Sequence, residues 1–311
     1  MEPVPEEKLL SWLHEFYGKE IIIETRDVLR HRDFSYVERI KVKDSLPETL
    51  IYKLVVPPWD IEQDLHERVL VPSISNSARL YMTAHHGSVT ALFLEDLGNE
   101  YLTEHATAEI AQLFGEELAK MHRSYTYRMA EIIDSGIMRN LETPNIEPFT
   151  EKLVEGLMRL GNLDAVRKKT LLDAASFCKS KLKDEPPTLV HGDLYAENIV
   201  LRKDELYLFD WSWFTSIGPC MIDFASMVSD HPKNGIFRNY SKEFAEAYCF
   251  ESGRKPDEIL ELASCGAILE RLLFLSWLEE RKSLGVLGTT VGHVDNLFEK
   301  VIGQIEDKLK G

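Results

Sequence analysis

The chain has little cysteine, no basic excess and no long hydrophobic run, and each shortage removes a class of protein. Its four cysteines, Cys178, Cys220, Cys249 and Cys265, lie far apart with no Cys-x-x-Cys pair among the 311 residues. Neither a zinc site nor a disulfide framework is indicated, and the thiols read as reduced, buried side chains. Lys and Arg number 36 against 52 Asp and Glu, a formal net charge of −16. A field of that sign repels a phosphate backbone, which argues against a nucleic-acid partner. The same field admits a cationic small molecule, and serves plain solubility equally well. The most apolar stretch, around Leu272 to Leu278, is too short to span a bilayer, so no membrane partner is expected. The opening Met1-Glu2-Pro3-Val4-Pro5-Glu6-Glu7 is acidic where a secretory signal is basic, and the expected location is cytoplasmic. There is no Gly-x-x-x-x-Gly-Lys, no Gly-x-Ser-x-Gly, and His66-Glu67 lacks the second histidine of a zinc-protease helix.

What the chain does have is a dense polar stretch, His191-Gly192-Asp193-Leu194-Tyr195-Ala196-Glu197-Asn198, followed by two short apolar runs, Asn198 to Leu201 and Leu206 to Phe209. The turn Arg202-Lys203-Asp204-Glu205 between them predicts a hairpin with a four-residue loop. Antiparallel pairing then carries Asn198 and Asp210 to the same open end, beside the loop that holds Asp193. One carboxylate plus one amide suits a Mg²⁺ ion whose shell is completed by nucleotide phosphates, and leaves Asp193 to act as base. Taken singly, a His-Gly-Asp turn and an Asp-Trp pair are ordinary loop chemistry; the ordered set is what points to phosphoryl transfer.

His-Gly-Asp-Leu, then Asn198, then Asp210-Trp211 after a hairpin resembles the aminoglycoside phosphotransferase and choline kinase-like family of kinase-fold enzymes. The resemblance implies an α+β, protein-kinase-like fold of two lobes. Residues 1–97 would form a small antiparallel-sheet N-lobe with one main helix, and residues 98–311 a larger, mainly helical C-lobe, with a hinge near 95–98. It implies ATP, with GTP as an alternative, and Mg²⁺ as cofactors. It assigns the catalytic residues as Asp193, which deprotonates the acceptor hydroxyl, and His191, which braces the loop. Asn198 and Asp210 become the metal ligands, and Asp223, in Asp223-Phe224-Ala225, supports the loop from beneath. The acceptor would be a small molecule such as an aminoglycoside, amino alcohol or sugar.

In the N-terminal part, spacing predicts a helix over Val4 to Tyr17 and strands over Ile21 to Leu29, Tyr36 to Val42 and Leu50 to Val56. Alternation puts Lys53 on one strand face with Ile51 and Val55, so the lysine needs a partner there. By resemblance Lys53 grips the nucleotide phosphates and Ile51 lies against the adenine. A helix begun by Asp60 and running to Val71 supplies the partner. On a 3.6-residue wheel Glu62 flanks its apolar stripe and Glu67 points nearly opposite, so Glu62 is the expected partner and Glu67 the reserve. The first hairpin, Arg30-His31-Arg32-Asp33-Phe34-Ser35, has no glycine where many kinase folds carry a glycine-rich loop. Backbone N–H groups, the Ser35 hydroxyl or a nearby arginine would have to hold phosphate instead. A second hairpin turns at Gly87 and leads to Glu95-Asp96-Leu97-Gly98, where backbone groups of Glu95 to Leu97 would meet the adenine edge by resemblance.

Beyond Gly98 the spacing is helical over Thr103 to Arg123, Arg128 to Met138, Pro148 to Leu160, Leu163 to Leu182, Lys242 to Phe250, Pro256 to Arg281 and Val291 to Lys310. Thr188 to Val190 reads as a strand, and Gly218-Pro219 as the start of a helix. A protein kinase is disfavoured by the glycine-free loop, by Tyr195 where such enzymes carry lysine, and by the lack of an Ala-Pro-Glu segment. A non-catalytic kinase-fold protein that binds nucleotide or a partner is the alternative; the glycine-free loop favours it and the intact Asp193, Asn198 and Asp210 oppose it.

Overall fold

The computed structural model describes residues 1–32, 34–202, 205–229, 235–285 and 291–310, with main chain alone at 72, 104, 251–252 and 291–294. Asp33 of the first hairpin and Lys203-Asp204 of the hairpin after Asn198 lie outside the described residues. The chain divides into two compact units, Met1–Asn99 with Tyr207–Trp213, and Glu100–Leu206 with Phe214–Gly311.

The first unit opens with α1 (Glu6–Tyr17), which ends at Gly18. Five strands follow: β1 (Ile23–His31), β2 (Ser35–Val42), β3 (Thr49–Val55), β4 (Leu80–His86) and β5 (Val89–Glu95). They form one antiparallel sheet in the order β1-β2-β3-β5-β4. Alternation gives this sheet two different faces. Tyr36, Ile40, Val42, Leu50, Tyr52, Leu54 and Phe93 face α1 and bury its Leu9, Trp12 and Leu13, each large side chain contributing about 1.5–3 kcal/mol. The opposite face carries Ile51, Leu80, Leu92, Leu94 and Val55 as a smaller apolar cluster. Between β3 and β4 lie α2 (Ile61–Arg68) and a single turn, α3 (Pro72–Ser75). The expected helix from Asp60 to Val71 is therefore cut short, since the chain leaves helical geometry at Val69 ahead of Pro72.

The second unit is mainly helical: α4 (Ala108–Tyr127), α5 (Met129–Ser135), α6 (Ile146–Arg159), α7 (Ala165–Lys181), α8 (Met221–Val228), α9 (Ser241–Ser252), α10 (Pro256–Ser283) and α11 (Val291–Lys310). Caps set several starts. The Thr107 hydroxyl accepts from Ile110 N at 3.3 Å and Asp164 Oδ1 from Arg167 N at 2.8 Å. Pro256 opens α10, with Asp257 and Glu258 in its first turn and Arg281 and Lys282 in its last, as the helix dipole favours. The helices α8 and α10 cross closely enough that a Cβ on Gly266 would lie 1.8 Å from the Met221 carbonyl oxygen. Short strands β6 (Arg139–Asn140), β7 (Pro187–Val190) and β10 (Ser216–Pro219) make a three-stranded sheet in the order β6-β10-β7. Strands β8 (Ile199–Arg202) and β9 (Glu205–Leu208) pair as a two-stranded sheet.

Two local expectations are corrected. Gly218 and Pro219 end strand β10, opposite Thr188 and Pro187, and the helix starts after them at Met221. Pro219 lies beyond the pairing of β10 with β6, which ends at Ile217, and stands opposite Pro187 of β7. The hairpin strands extend one residue further on each side than expected, to Arg202 and from Glu205. Among the described residues no helix is long and apolar enough to cross a membrane.

Candidate active site

Within the sheet unit, a charged cluster forms on the less buried face. Register places Val37 opposite Lys53 and Arg39 opposite Ile51 on one side, and Leu92 opposite Lys53 and Leu94 opposite Ile51 on the other. Lys53, only 6% exposed, thus rises from an apolar floor. It pairs with Glu62 of α2, and with Asp210 Oδ1 at 2.5 Å. Glu62 faces inward with Leu65, one turn apart, and is 1% exposed. Glu67 points outward, accepting from Gln63 Nε2 at 3.0 Å and from the Thr83 hydroxyl at 3.3 Å.

Asp210 has a second cation, Arg30, whose Nη1 lies 2.9 Å from Oδ2. Arg30 was not singled out from the sequence. It stands opposite Val37, which stands opposite Lys53, so register alone puts both cations on one face; the signal is hidden by the irregularity in β1 between Val28 and Arg30. The Asp210 backbone is left-handed, with φ +62°, a conformation that aspartate adopts only sparingly and that clusters at functional sites. Burial alone would raise the Asp210 pKa, but the charges of Lys53 and Arg30 hold it well below the usual carboxylate range. Burial would lower the pKa of Lys53, yet Asp210 and Glu62 together keep it raised. Glu62 is pushed up to about 7, by burial first and by the negative Asp210, against the opposing pull of Lys53.

Ser35 lies on the same face, opposite Val55, and is buried. In place of glycine, the first hairpin uses aromatic contact: the Phe34 ring sits 5.1 Å from the buried Trp59 ring. Glu95 ends β5, opposite Leu50, and Leu97 is buried just beyond it.

In the helical unit, β7 delivers the chain to the loop His191-Gly192-Asp193. Gly192 has φ +76°, and a Cβ there would meet the Phe214 carbonyl oxygen at 2.3 Å, so only glycine fits. Asp223, in the first turn of α8 and fully buried, accepts from His191 N at 2.8 Å and from Gly192 N at 2.9 Å. A side chain that sequence reasoning missed joins it: His122 of α4 places Nε2 at 3.2 Å from Asp223 Oδ2 and Nδ1 at 2.8 Å from the Tyr248 hydroxyl. Its partners are remote in sequence, so no local pattern announces it. His191 is itself fully buried, and its Nδ1 accepts from Asp193 N at 3.3 Å. Asn198, at the end of a short turn before β8, donates from Nδ2 to the Asp193 carbonyl oxygen at 2.8 Å. That bond points its amide oxygen elsewhere, as an acceptor or ligand. The Tyr195 phenol is raised by burial, by its hydrogen-bond partner Asp193 and by Glu270. Among the described residues no three His, Cys, Asp or Glu side chains converge as a metal site of their own.

No curated protein matches the chain in sequence. Among solved structures, an ethanolamine kinase from Plasmodium vivax aligns over 99% of this chain and 92% of its own, at 13% identity and TM-score 0.66. A spectinomycin phosphotransferase in complex with ADP and spectinomycin aligns over 100% of each chain, at 14% identity and TM-score 0.60. A choline kinase from Cryptosporidium parvum aligns over 98% of this chain and 96% of its own, at 11% identity and TM-score 0.61. Likeness at such identities shows the fold, which is α+β and protein-kinase-like. The model of the phosphotransferase enzyme family matches residues 72–262, more than half of the chain, and the chain belongs to that family.

Proposed function

We propose that the chain is an ATP-dependent phosphotransferase that moves the γ-phosphoryl group to a hydroxyl of a small molecule. The observation that carries this reading is the buried Lys53 held between Glu62 and the left-handed Asp210, on a sheet face floored by Ile51, Leu92 and Leu94. An apolar floor with a fixed cation at one end suits a purine nucleotide and its phosphates. Lys53 is the α/β-phosphate contact, positioned by Glu62, and Ile51 lies against the base. Arg30 and Ser35 face the phosphates from the first hairpin. Backbone groups of Glu95 to Leu97 meet the purine edge, so residues 1–97 bind nucleotide and residues 98–311 bring the acceptor and its base.

The donor set fits Mg²⁺: the Asp210 carboxylate and the Asn198 amide oxygen are hard ligands, and their small number leaves room for phosphates and water. When bound, the ion neutralises charge on the β- and γ-phosphates. The two cations that now neutralise Asp210 are then free to meet phosphate oxygens, so no buried charge is left unmatched. Asp193 takes the acceptor proton as the hydroxyl oxygen bonds to the γ-phosphorus, and the bond to the β–γ bridging oxygen breaks with its electron pair leaving on ADP. Asp223 and His191 are positioning residues: they hold the loop that aims Asp193, and neither reaches substrate. The net charge of −16 favours a cationic acceptor such as an aminoglycoside or amino alcohol over a neutral sugar.

The test is ATP consumption and phosphate transfer across aminoglycosides, amino alcohols and sugars, with GTP in parallel. Stimulated turnover by one class identifies the acceptor, and a cationic acceptor gives a KM that rises with salt. Nucleotide binding with no transfer to any acceptor would favour a non-catalytic kinase-fold protein.

A further inference from the structure

Arg39 stands in the middle of β2, directly opposite Ile51 and therefore on the same face as Lys53. A cation there, at the apolar end of the face, is not explained by phosphate contact, since Lys53 and Arg30 already serve the other end. Its guanidinium instead gathers the segment that follows β5. Nε lies 2.8 Å from Asp96 Oδ2, and Nη2 lies 2.9 Å from Asp96 Oδ1, 3.1 Å from the Gly98 carbonyl oxygen and 2.7 Å from Asn99 Oδ1. Asp96 closes the arrangement on itself by accepting from Gly98 N at 3.1 Å, a turn in which the aspartate side chain stands in for backbone. The fork geometry of arginine is what allows one side chain to hold a carboxylate and two further oxygens at once; lysine would be a single point charge.

We propose that Arg39 is a positioning residue for the purine, fixing the backbone of Glu95 to Leu97 beside Ile51 so that its N–H and C=O groups meet the base edge already aligned. This rests on the nucleotide-binding reading above. Loosened from Arg39, the segment would have to be ordered at the moment of binding, and affinity falls by that entropy. The phosphate end, held by Lys53 and Arg30, is untouched.

The measurement is calorimetric binding of ATP and of inorganic tripolyphosphate, each with Mg²⁺, to the parent chain and to Arg39→Ala, Arg39→Lys and Asp96→Asn. Arg39→Ala is expected to weaken ATP about tenfold, the worth of one good charge-assisted contact, and to leave tripolyphosphate within about twofold. Arg39→Lys and Asp96→Asn should show smaller losses in the same direction, and combining Arg39→Ala with Asp96→Asn should cost no more than Arg39→Ala alone. ATP binding at parental affinity in Arg39→Ala overturns the inference. So does an equal loss for ATP and tripolyphosphate, which is what general weakening of the sheet would produce. Should Arg39→Ala fail to fold, Arg39→Lys decides: a loss confined to ATP upholds the role, and parental ATP affinity refutes it. A parent chain that binds neither probe removes the nucleotide reading itself, a different result from any failure of Arg39 alone.

Discussion

The charged cluster of the sheet unit and the Asp193 loop of the helical unit are held by different means. On the sheet face, Lys53, Arg30, Glu62 and Asp210 are joined by ion pairs between side chains. In the loop around Asp193, one buried carboxylate binds backbone amides, and a glycine with no room for a side chain fixes the turn. Ion pairs can exchange partners when a ligand brings its own charges, whereas a carboxylate that satisfies two amides cannot let go without orphaning both. Under the proposed function, nucleotide rearranges the sheet face and the loop stays as it is. Substitutions in the loop should cost stability and rate together, and substitutions on the face should change ligand affinity and pH response.

The largest expected effect is Asp223→Ala. It leaves His191 N and Gly192 N buried without an acceptor, at about 1–3 kcal/mol each, so denaturant unfolding should show a loss of roughly 2–6 kcal/mol together with loss of transfer. A loss under about 1 kcal/mol would mean that the loop is not held as described. Gly192→Ala comes next. The left-handed backbone costs an alanine roughly 1–2 kcal/mol, and the 2.3 Å approach to the Phe214 carbonyl oxygen forces the loop to shift. Transfer should fall by a larger factor than stability, and parental kcat in this variant would show that Asp193 needs no such positioning.

The smallest effect sharpens the comparison from the charged side. Glu62 has its pKa pushed from 4.5 up to about 7, so between those values the folded chain holds the proton more tightly than the unfolded one. Stability should therefore fall as pH rises from about 4.5 to about 7 and level off above it. Asp210 acts in the opposite sense: its depressed pKa contributes stability above its unfolded value of 3.8, lost as pH falls through the acid range. Glu62→Gln should flatten the slope in the first window and leave the acid limb in place. An unchanged slope between those pH values would mean that Glu62 is charged throughout.

Much of this arrangement is legible in the sequence where a local period determines it. Alternation puts Lys53 with Ile51, and a 3.6-residue wheel selects Glu62 over Glu67, because both depend only on residues a few positions apart. Helix α11 runs from Val291 to Lys310 as its spacing predicts. What escapes is set by tertiary pairing. Gly218-Pro219 looks like a helix start because strand β10 has four residues and exists only through its neighbours β6 and β7. Arg30 is concealed by a register shift, and His122 finds Asp223 and Tyr248 across 101 and 126 positions. Arg39 meets Asp96, Gly98 and Asn99 across 57 to 60 positions, which no local period announces.

The central claim is that Asp193 and Asp210 do separate work, and nucleotide titration with and without Mg²⁺, beside transfer rates for the identified acceptor, tests it most directly. Asp193→Asn keeps the shape and loses the base, so ATP binding should persist while transfer falls about a hundredfold or more. Asp210→Ala should lose the Mg²⁺-dependent part of ATP affinity along with turnover. Transfer at the parent rate by Asp193→Asn would contradict the mechanism.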